Sequence, residues 1–330
     1  MKILITGAAR IGDAVMSLPA LSAVVRSFPQ ASFSLFAPGA SAGVYRCSGL
    51  ECPVIPVVSG GISLLRRFLG LRDFHYDRAI LFSGGFIWAL GAGLAGVRER
   101  IGLDSDWRGG LLTRKVGSGT EEQHQCSSYL ELAAAAGAST AGVMPPGLSL
   151  PVHERAAAGR FLQERLSGRR YFCVNPGASR ASKRWPLQRF IRVCSRLQER
   201  GLGCVVLGGG SDARLARRLV GALGGGCAVS AAGEPLVRSF ALLAGACFYI
   251  GNNSGLSHAA AALRVPGVCI SGPSSFQKTV PQGAPVFFLG GAAVSGSDRG
   301  LRPHPALLAV TVEEVILLLK KEFRDFFDPL

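Results

Sequence analysis

Tyr249-Ile-Gly-Asn-Asn-Ser-Gly-Leu-Ser-His-Ala-Ala-Ala-Ala-Leu263 is the stretch from which the fold class of this chain can be read. The apolar run that leads into it, Ala246-Cys-Phe-Tyr-Ile250, has the character of a buried strand. It breaks at Gly251-Asn-Asn-Ser-Gly255, and the Ala-rich segment that follows has the composition of a helix. A strand, a small-residue turn and a helix N-terminus gather free backbone N–H groups at the positive end of a helix dipole. Such a turn can bind an anion, most commonly phosphate; it can equally be an ordinary βα turn whose Asn and Ser only cap the helix.

The same strand–turn–helix unit recurs in both directions along the chain. Lys2-Ile-Leu-Ile-Thr6 reads as a first strand and Ala14 to Ser27 as its helix. Ser32 to Phe36, Val54 to Val58 and Asp77 to Phe82 read as further strands, and Gln123 to Ala136 as a helix. Arg98-Glu-Arg-Ile-Gly102 turns into a polar, Gly-rich region to Thr120 that is expected to be surface loop. Ser139 to Leu150, with Pro145-Pro146, is the clearest linker-like change in composition. Beyond it the pattern restarts: helix Glu154 to Leu166, strand Tyr171 to Asn175, helix Leu187 to Arg200, strand and turn Gly203 to Gly210, helix Pro235 to Leu243. Val268-Cys-Ile-Ser-Gly-Pro-Ser274 then ends another strand in small residues, and Thr311 to Phe327 is an amphipathic closing helix. Repeated βα units imply α/β architecture with two doubly wound parallel-sheet domains, 1–150 and 151–330, whose turns meet in one cleft.

Composition agrees. At 330 residues, 48% hydrophobic, the chain has material for two cores, and 44 glycines against 18 prolines suit many tight turns. Its nine cysteines are scattered without a CxxC pair and read as buried thiols of a reducing cytoplasm. Residues 79–97 carry no charge, but their five glycines and Ser83-Gly-Gly85 favour strand, turn and helix over a membrane span. Gly7, Arg10, Gly12 and Asp13 interrupt any signal-peptide core. The formal charge is +15, with 13 Lys/Arg against 10 Asp/Glu in the first 150 residues and 23 against 11 in the remainder. A basic second half suits a polyanionic ligand or an anionic membrane, and no nucleic-acid-binding motif accompanies it. Arg66 to Asp73 is a basic amphipathic segment that could meet an acidic lipid surface or lie in solvent.

Several residues stand where chemistry would need them. Gly7-Ala-Ala-Arg-Ile-Gly-Asp13 lacks the second glycine of a dinucleotide fingerprint and the GK[ST] of a P-loop. Asp13, after Gly12 at the start of a helix, suits a general base facing a cleft, or a helix cap. Ser179, Lys183 and Arg184 lie on the loop after Asn175, where a lysine can neutralise a diphosphate or be merely solvated, and Trp185 suits a packing anchor. Asp212, opening a helix after Gly208-Gly-Gly210, could bond ribose hydroxyls or cap that helix.

No single motif is specific, but their order and spacing are. Gly12-Asp13 with Pro19, Asn175-Pro-Gly-Ala178 with Lys183-Arg-Trp-Pro186, Gly208-Gly209, and Asn253-Ser-Gly255 with His258 together resemble the bacterial ADP-heptose:lipopolysaccharide heptosyltransferase family, over nearly the whole chain. The resemblance implies a GT-B fold of two Rossmann-like domains facing each other across a cleft, the first binding acceptor and the second nucleotide sugar. It implies that the last helix, about 311–327, packs back on the N-terminal domain. It implies inverting transfer of heptose from ADP-heptose to an inner-core sugar hydroxyl, without metal or other cofactor, on a lipid A-core type glycolipid. The protein would then be cytoplasmic, in peripheral contact with the inner membrane. Carried over by position, Asp13 is the base on the acceptor side beside Gly12, and Lys183 stabilises departing ADP with Ser179 nearby. Asp212 holds the ribose, and Asn253, Ser254, Gly255 and His258 form the donor clamp. One departure is that the family usually has Asp where this chain has Asn253, which keeps a carbonyl acceptor, adds a donor and removes a charge. A sugar-nucleotide epimerase of the same fold and a non-catalytic nucleotide-sugar-binding relative remain as alternatives.

Overall fold

In the computed structural model residues 1–58, 61–117, 119, 123–224, 226–272, 277–290 and 302–324 are described. The chain divides into two compact units, Met1–Ser149 with Gln277–Val280, and Leu150–Phe276 with Pro281–Leu330. The His124 ring, at Nε2, bonds the Val280 carbonyl (2.8 Å), which ties that late segment to the first unit.

The first unit runs β1 (Lys2–Thr6), α1 (Ile11–Ser27), β2 (Ser32–Pro38), α2 (Gly39–Arg46), β3 (Val54–Val57), α3 (Gly61–Leu69), β4 (Arg78–Leu81), α4 (Phe86–Leu94), β5 (Glu99–Leu103), β6 (Arg114–Val116) and α5 (Gln125–Ala135). Its strands form one sheet in the order β3-β2-β1-β4-β5-β6, every neighbouring pair parallel. Ile3, Leu4 and Ile5 of β1 are fully buried because helices cover both faces, so the strand reads as an unbroken apolar run. The run Arg98–Gly102 lies largely in β5, and the region after it that was expected to be surface loop contains β6. The latter is a three-residue edge strand, Arg114-Lys115-Val116, whose charges suit an outer position and hide it from a hydrophobicity reading. Residues 79–97 form β4, a turn and α4, and among the described residues no helix is long and apolar enough to cross a membrane.

The second unit runs α6 (Val152–Leu166), β7 (Tyr171–Asn175), α7 (Leu187–Gln198), β8 (Gly203–Val206), α8 (Ala213–Leu223), β9 (Ala228–Ser230), α9 (Leu236–Ala244), β10 (Tyr249–Asn252), α10 (Gly255–Ala262), β11 (Gly267–Ser271), β12 (Val286–Gly290), α11 (Pro305–Ala309) and α12 (Val312–Glu322). The sheet order is β12-β11-β10-β7-β8-β9, again with every pair parallel. Its core stacks Phe172 on Phe248 (centroids 5.6 Å apart) and sets Trp185 edge-on to Phe190 (4.9 Å). The closing helix α12 begins with a Thr311–Glu314 capping box and buries Val315, Ile316 and Leu319 in this same core against α7. Its buried face therefore belongs to the second unit's core. Residues 325–327 of the expected helix, and Pro273 and Ser274 after β11, lie outside the described residues. All nine cysteines are free thiols, seven of them buried.

Candidate functional site

In an open parallel sheet, ligands bind beyond the carboxyl ends of strands where the strand order reverses. In the second unit that reversal falls between β7 and β10, and the residues singled out in the sequence flank it. The strand β10 runs two residues further than its apolar run suggested, through Gly251 and Asn252. Glycine is required at 251: a Cβ there would stand 2.2 Å from the Tyr249 hydroxyl oxygen and 3.0 Å from the Asn175 carbonyl. Asn252, fully buried, staples the neighbouring loop. Its Nδ2 donates to the Pro176 carbonyl (2.9 Å) and its Oδ1 accepts from the Trp185 N–H (2.8 Å). Trp185 is held at its other end by an indole N–H bond to the Val310 carbonyl (3.0 Å), so it is the packing anchor expected of it.

Asn175, at the end of β7, does a similar job. Its Oδ1 accepts from the Gly177 N–H (3.0 Å) and its Nδ2 donates to the Ser254 Oγ (3.0 Å). Ser254 is the N-cap residue of α10, and its side chain interacts with Asn175 and with the Tyr249 phenol. Ser257 Oγ–H donates back to the Ser254 carbonyl (2.6 Å). The turn thus presents the first N–H groups of α10, from Gly255 onward, beside a fixed serine hydroxyl: a cradle for an anion. Asn253 Nδ2 donates to Ser271 Oγ (3.3 Å), and Ser271 Oγ–H donates to the Gly272 carbonyl (3.3 Å). A carboxylate at 253 has no hydrogen to give and would require the serine to reverse. His258 lies further along α10, only 5% exposed, within the packed part of the helix.

Asp212 closes the cluster from β8. Its Oδ2 accepts from the Gly209 N–H (3.1 Å), and its carboxylate lies so close under the first loop that a Cβ on Gly177 would be 2.5 Å from its Cγ. Lys183 ends a single 3₁₀ turn, Ala181–Lys183, on the 176–186 loop and is half-buried, while Arg184 folds back to donate twice to the Ala178 carbonyl. Ser179 is exposed on the same loop. The second unit therefore joins Ser254, Gly255 and Asp212 through Asn175 and Gly177. Asn252 is the residue of this hydrogen-bonded cluster that sequence reading had not singled out, and Asn175 entered there only as part of a motif; the available signal was an amide at the end of each apolar strand.

In the first unit, α1 begins three residues earlier than expected, so Gly12 and Asp13 lie inside its first turn. No side chain caps that helix, and Asp13 is partly buried at its positive end. Burial raises the Asp13 pKa, opposed by the charge of Arg10. Its electrostatic neighbours include the phenols of Tyr45 and Tyr129, both raised chiefly by their own burial. The glycine at position 7, suggestive of a dinucleotide turn, has another explanation. A Cβ there would stand 2.5 Å from the Tyr45 ring, whose hydroxyl accepts from the Ala8 N–H (2.7 Å) and bonds Ser17 Oγ (2.9 Å).

A reading of the sequence as lacking the DxD spacing associated with metal-dependent transferases is corrected by Asp104-Ser105-Asp106, which has it. Here it brackets a buried arginine. Arg108 is 1% exposed, its Nε donates to the Leu103 carbonyl (2.8 Å) and its Nη1 to the Ser83 carbonyl. Burial lowers its pKa, and Asp106, Tyr129 and Asp104 counteract this. Asp106 Oδ2 also accepts from the Gly85 N–H (3.0 Å). Among the described residues no group of three His, Cys, Asp or Glu side chains stands together as a metal cluster.

Residues 64–293 match glycosyltransferase family 9 (heptosyltransferase). The chain is 31% identical to lipopolysaccharide heptosyltransferase 2 of Escherichia coli K12, over 98% of this chain and all of that protein. It is 30% identical to lipopolysaccharide heptosyltransferase 2 of Salmonella typhimurium, over 96% of this chain and 97% of the relative. The solved structure of the E. coli ADP-heptose lipopolysaccharide heptosyltransferase II superposes with a TM-score of 0.84 at 26% identity, covering 99% and 100% of the two chains. The α/β architecture of two parallel six-stranded sheets is that of the GT-B heptosyltransferases. The family match over residues 64–293 and the near-full-length similarity agree: this chain is a glycosyltransferase and belongs to glycosyltransferase family 9, the heptosyltransferases.

Proposed function

We propose that the enzyme moves heptose from ADP-heptose to a hydroxyl of the lipopolysaccharide inner core, with inversion and without a metal ion. Asp13 takes the proton of the acceptor hydroxyl as that oxygen attacks the anomeric carbon. The bond from that carbon to the diphosphate oxygen breaks, and ADP departs with the electron pair. Lys183 and the N–H groups opening α10 neutralise the charge growing on the diphosphate, and Ser254 adds a hydroxyl donor. Asp212 receives the ribose, while Ser179, Asn253, Gly255 and His258 complete the donor side. The acceptor is a lipid A-core type glycolipid, met at the cytoplasmic face of the inner membrane.

The observation that carries this reading at residue level is Asp13. It is a carboxylate inside an uncapped first turn, partly buried, with its pKa raised by burial. A base poised closer to the working pH accepts a proton more readily than an exposed aspartate. Near-full-length similarity to lipopolysaccharide heptosyltransferase 2 supports the donor and acceptor classes. The test is ADP release from ADP-heptose, with and without a heptose-deficient core acceptor, in the presence of EDTA. Acceptor-dependent turnover is expected. Lys183→Ala is expected to weaken donor binding and slow transfer, and unchanged kinetics would remove Lys183 from the mechanism. A strict metal requirement would return attention to Asp104 and Asp106.

A further inference from the structure

Helix α3 is held to its unit by one face only. Leu64 and Phe68 are buried, and the Phe68 ring packs so tightly against α4 that a Cβ on Gly91 would lie 2.2 Å from it. At 100° per residue the opposite face carries Ile62, Arg66 and Leu69, spaced i, i+4, i+7. An outward face normally carries polar residues, yet Ile62 is 70% exposed and Leu69 41%. Val58, just beyond the edge strand β3, is 74% exposed. Val58 and Ile62, but not Leu69, border a cavity of about 600 Å³ between β3 and α3, walled also by Val57 and rimmed by Arg66 and Arg67. Pro56 on β3 removes a backbone donor from that edge, which disfavours an added strand as the occupant. No acidic residue occurs between Glu51 and Asp73, so the arginines keep their charge uncompensated from within the segment.

We propose that this face of α3, with Val58, docks on an anionic lipid bilayer. Ile62, Leu69 and Val58 enter the interface while Arg66 and Arg67 meet lipid phosphates. Apolar side chains flanked by guanidinium groups on a short surface helix match a bilayer boundary, where acyl chains and anionic headgroups lie within one side-chain length of each other. A purely protein partner would need the apolar patch but not the unbalanced arginines. The inference rests on the proposal of a lipid-carried acceptor for its purpose, though not for its geometry.

The full-length protein is tested by co-sedimentation with vesicles of phosphatidylcholine alone and of phosphatidylcholine mixed with phosphatidylglycerol. Binding is expected only to the mixed vesicles and is expected to weaken as salt rises. Ile62→Ser combined with Arg66→Ala and Arg67→Ala is expected to weaken it on the order of tenfold or more. Arg192→Ala with Arg217→Ala, exposed on α7 and α8, is expected to leave it unchanged. Absence of binding to the mixed vesicles, equal binding to both kinds, or loss only in the α7/α8 variant would overturn the proposal. So would light scattering showing a dimer that Ile62→Ser dissociates, because the face would then be covered by a second copy. Turnover on a lipid-free core oligosaccharide should be the same in the α3 variant and the parent. Vesicle binding without any heptose transfer would defeat the catalytic reading and leave the docking surface standing.

Discussion

Replacing Asp13 by asparagine separates the chemical role of this carboxylate from its energetic cost. The side chain sits in the first turn of α1, where a negative charge gains from the helix dipole by about 0.3–1 kcal/mol. Burial acts the other way and is the larger influence on its titration, since the pKa is raised in spite of the nearby Arg10 charge. Each unit of that displacement corresponds to about 1.4 kcal/mol between the two protonation states. The sign follows from proton counting. A folded-state pKa above the unfolded one means that the folded protein holds the proton to higher pH. Stability is then full below the unfolded value and declines as pH rises through the folded value, after which the buried charge is a constant penalty. Asparagine has nearly the same shape and carries no such penalty. At pH of about 7 to 8, Asp13→Asn should therefore unfold at a higher temperature than the parent. About 1 kcal/mol moves the midpoint of a unit of this size by roughly 2–4 °C. The gap should close as pH falls into the carboxylate range, where the parent also becomes neutral. Turnover should drop by about 10²–10⁴, the usual contribution of a general base, while ADP binding persists. Calorimetric melting across that pH range, paired with the ADP-release assay, reads both quantities. A variant less stable than its parent near pH 8, or a difference that does not change with pH, would refute the argument and leave Asp13 as a dipole partner.

Two other substitutions probe the packing that builds the two turns. Gly7→Ala places a methyl 2.5 Å from the Tyr45 ring and must displace a phenol bonded to Ala8 and Ser17. A loss of about 2 kcal/mol in denaturant unfolding is expected, combining overpacking with the broken bonds. Gly177→Ala pushes the Asp212 carboxylate from beneath the loop, where it also bonds Gly209, a change of a partly exposed group that should cost little stability. It should weaken ADP binding by about tenfold, the equivalent of one charge-assisted hydrogen bond. Unchanged ADP affinity in a calorimetric titration would take Asp212 out of the donor site.

The repeated alternation of apolar runs, small-residue turns and helical segments was enough to expect two doubly wound units, because parallel strands covered on both faces are apolar throughout. Strand β7 begins and ends where its sequence indicated, since five consecutive buried residues are followed by a proline. Strands whose composition is not apolar were not legible: β6 is two-thirds cationic and is a strand only because β5 offers it a free edge. The start of α1 was placed late for a related reason. Gly12 has low helix propensity, and the burial of the rest of the helix overrides it.

Residue types and their order along the chain by themselves determined the α/β class and the candidate positions Asp13, Lys183 and Ser254, because each of these is a local property of a strand, a turn or a helix start, while the reaction class came from the resemblance to a known family. Tertiary structure alone decided what surrounds them. Asn175 and Asn252 reach across sequence separations of 79 and 67 residues to orient Ser254 and Trp185. Gly7 is explained by a tyrosine from another helix, and the Asp104–Asp106 pair by an arginine it encloses. The turn at 251–255, which first suggested an anion site, opens α10 with Ser254 at its N-cap. Only pairing with β7 shows that the serine hydroxyl is oriented and that Gly251 is there to admit the Tyr249 hydroxyl. Such relations depend on which strands become neighbours, and a parallel sheet joins neighbours through crossovers too long for local periodicity to encode.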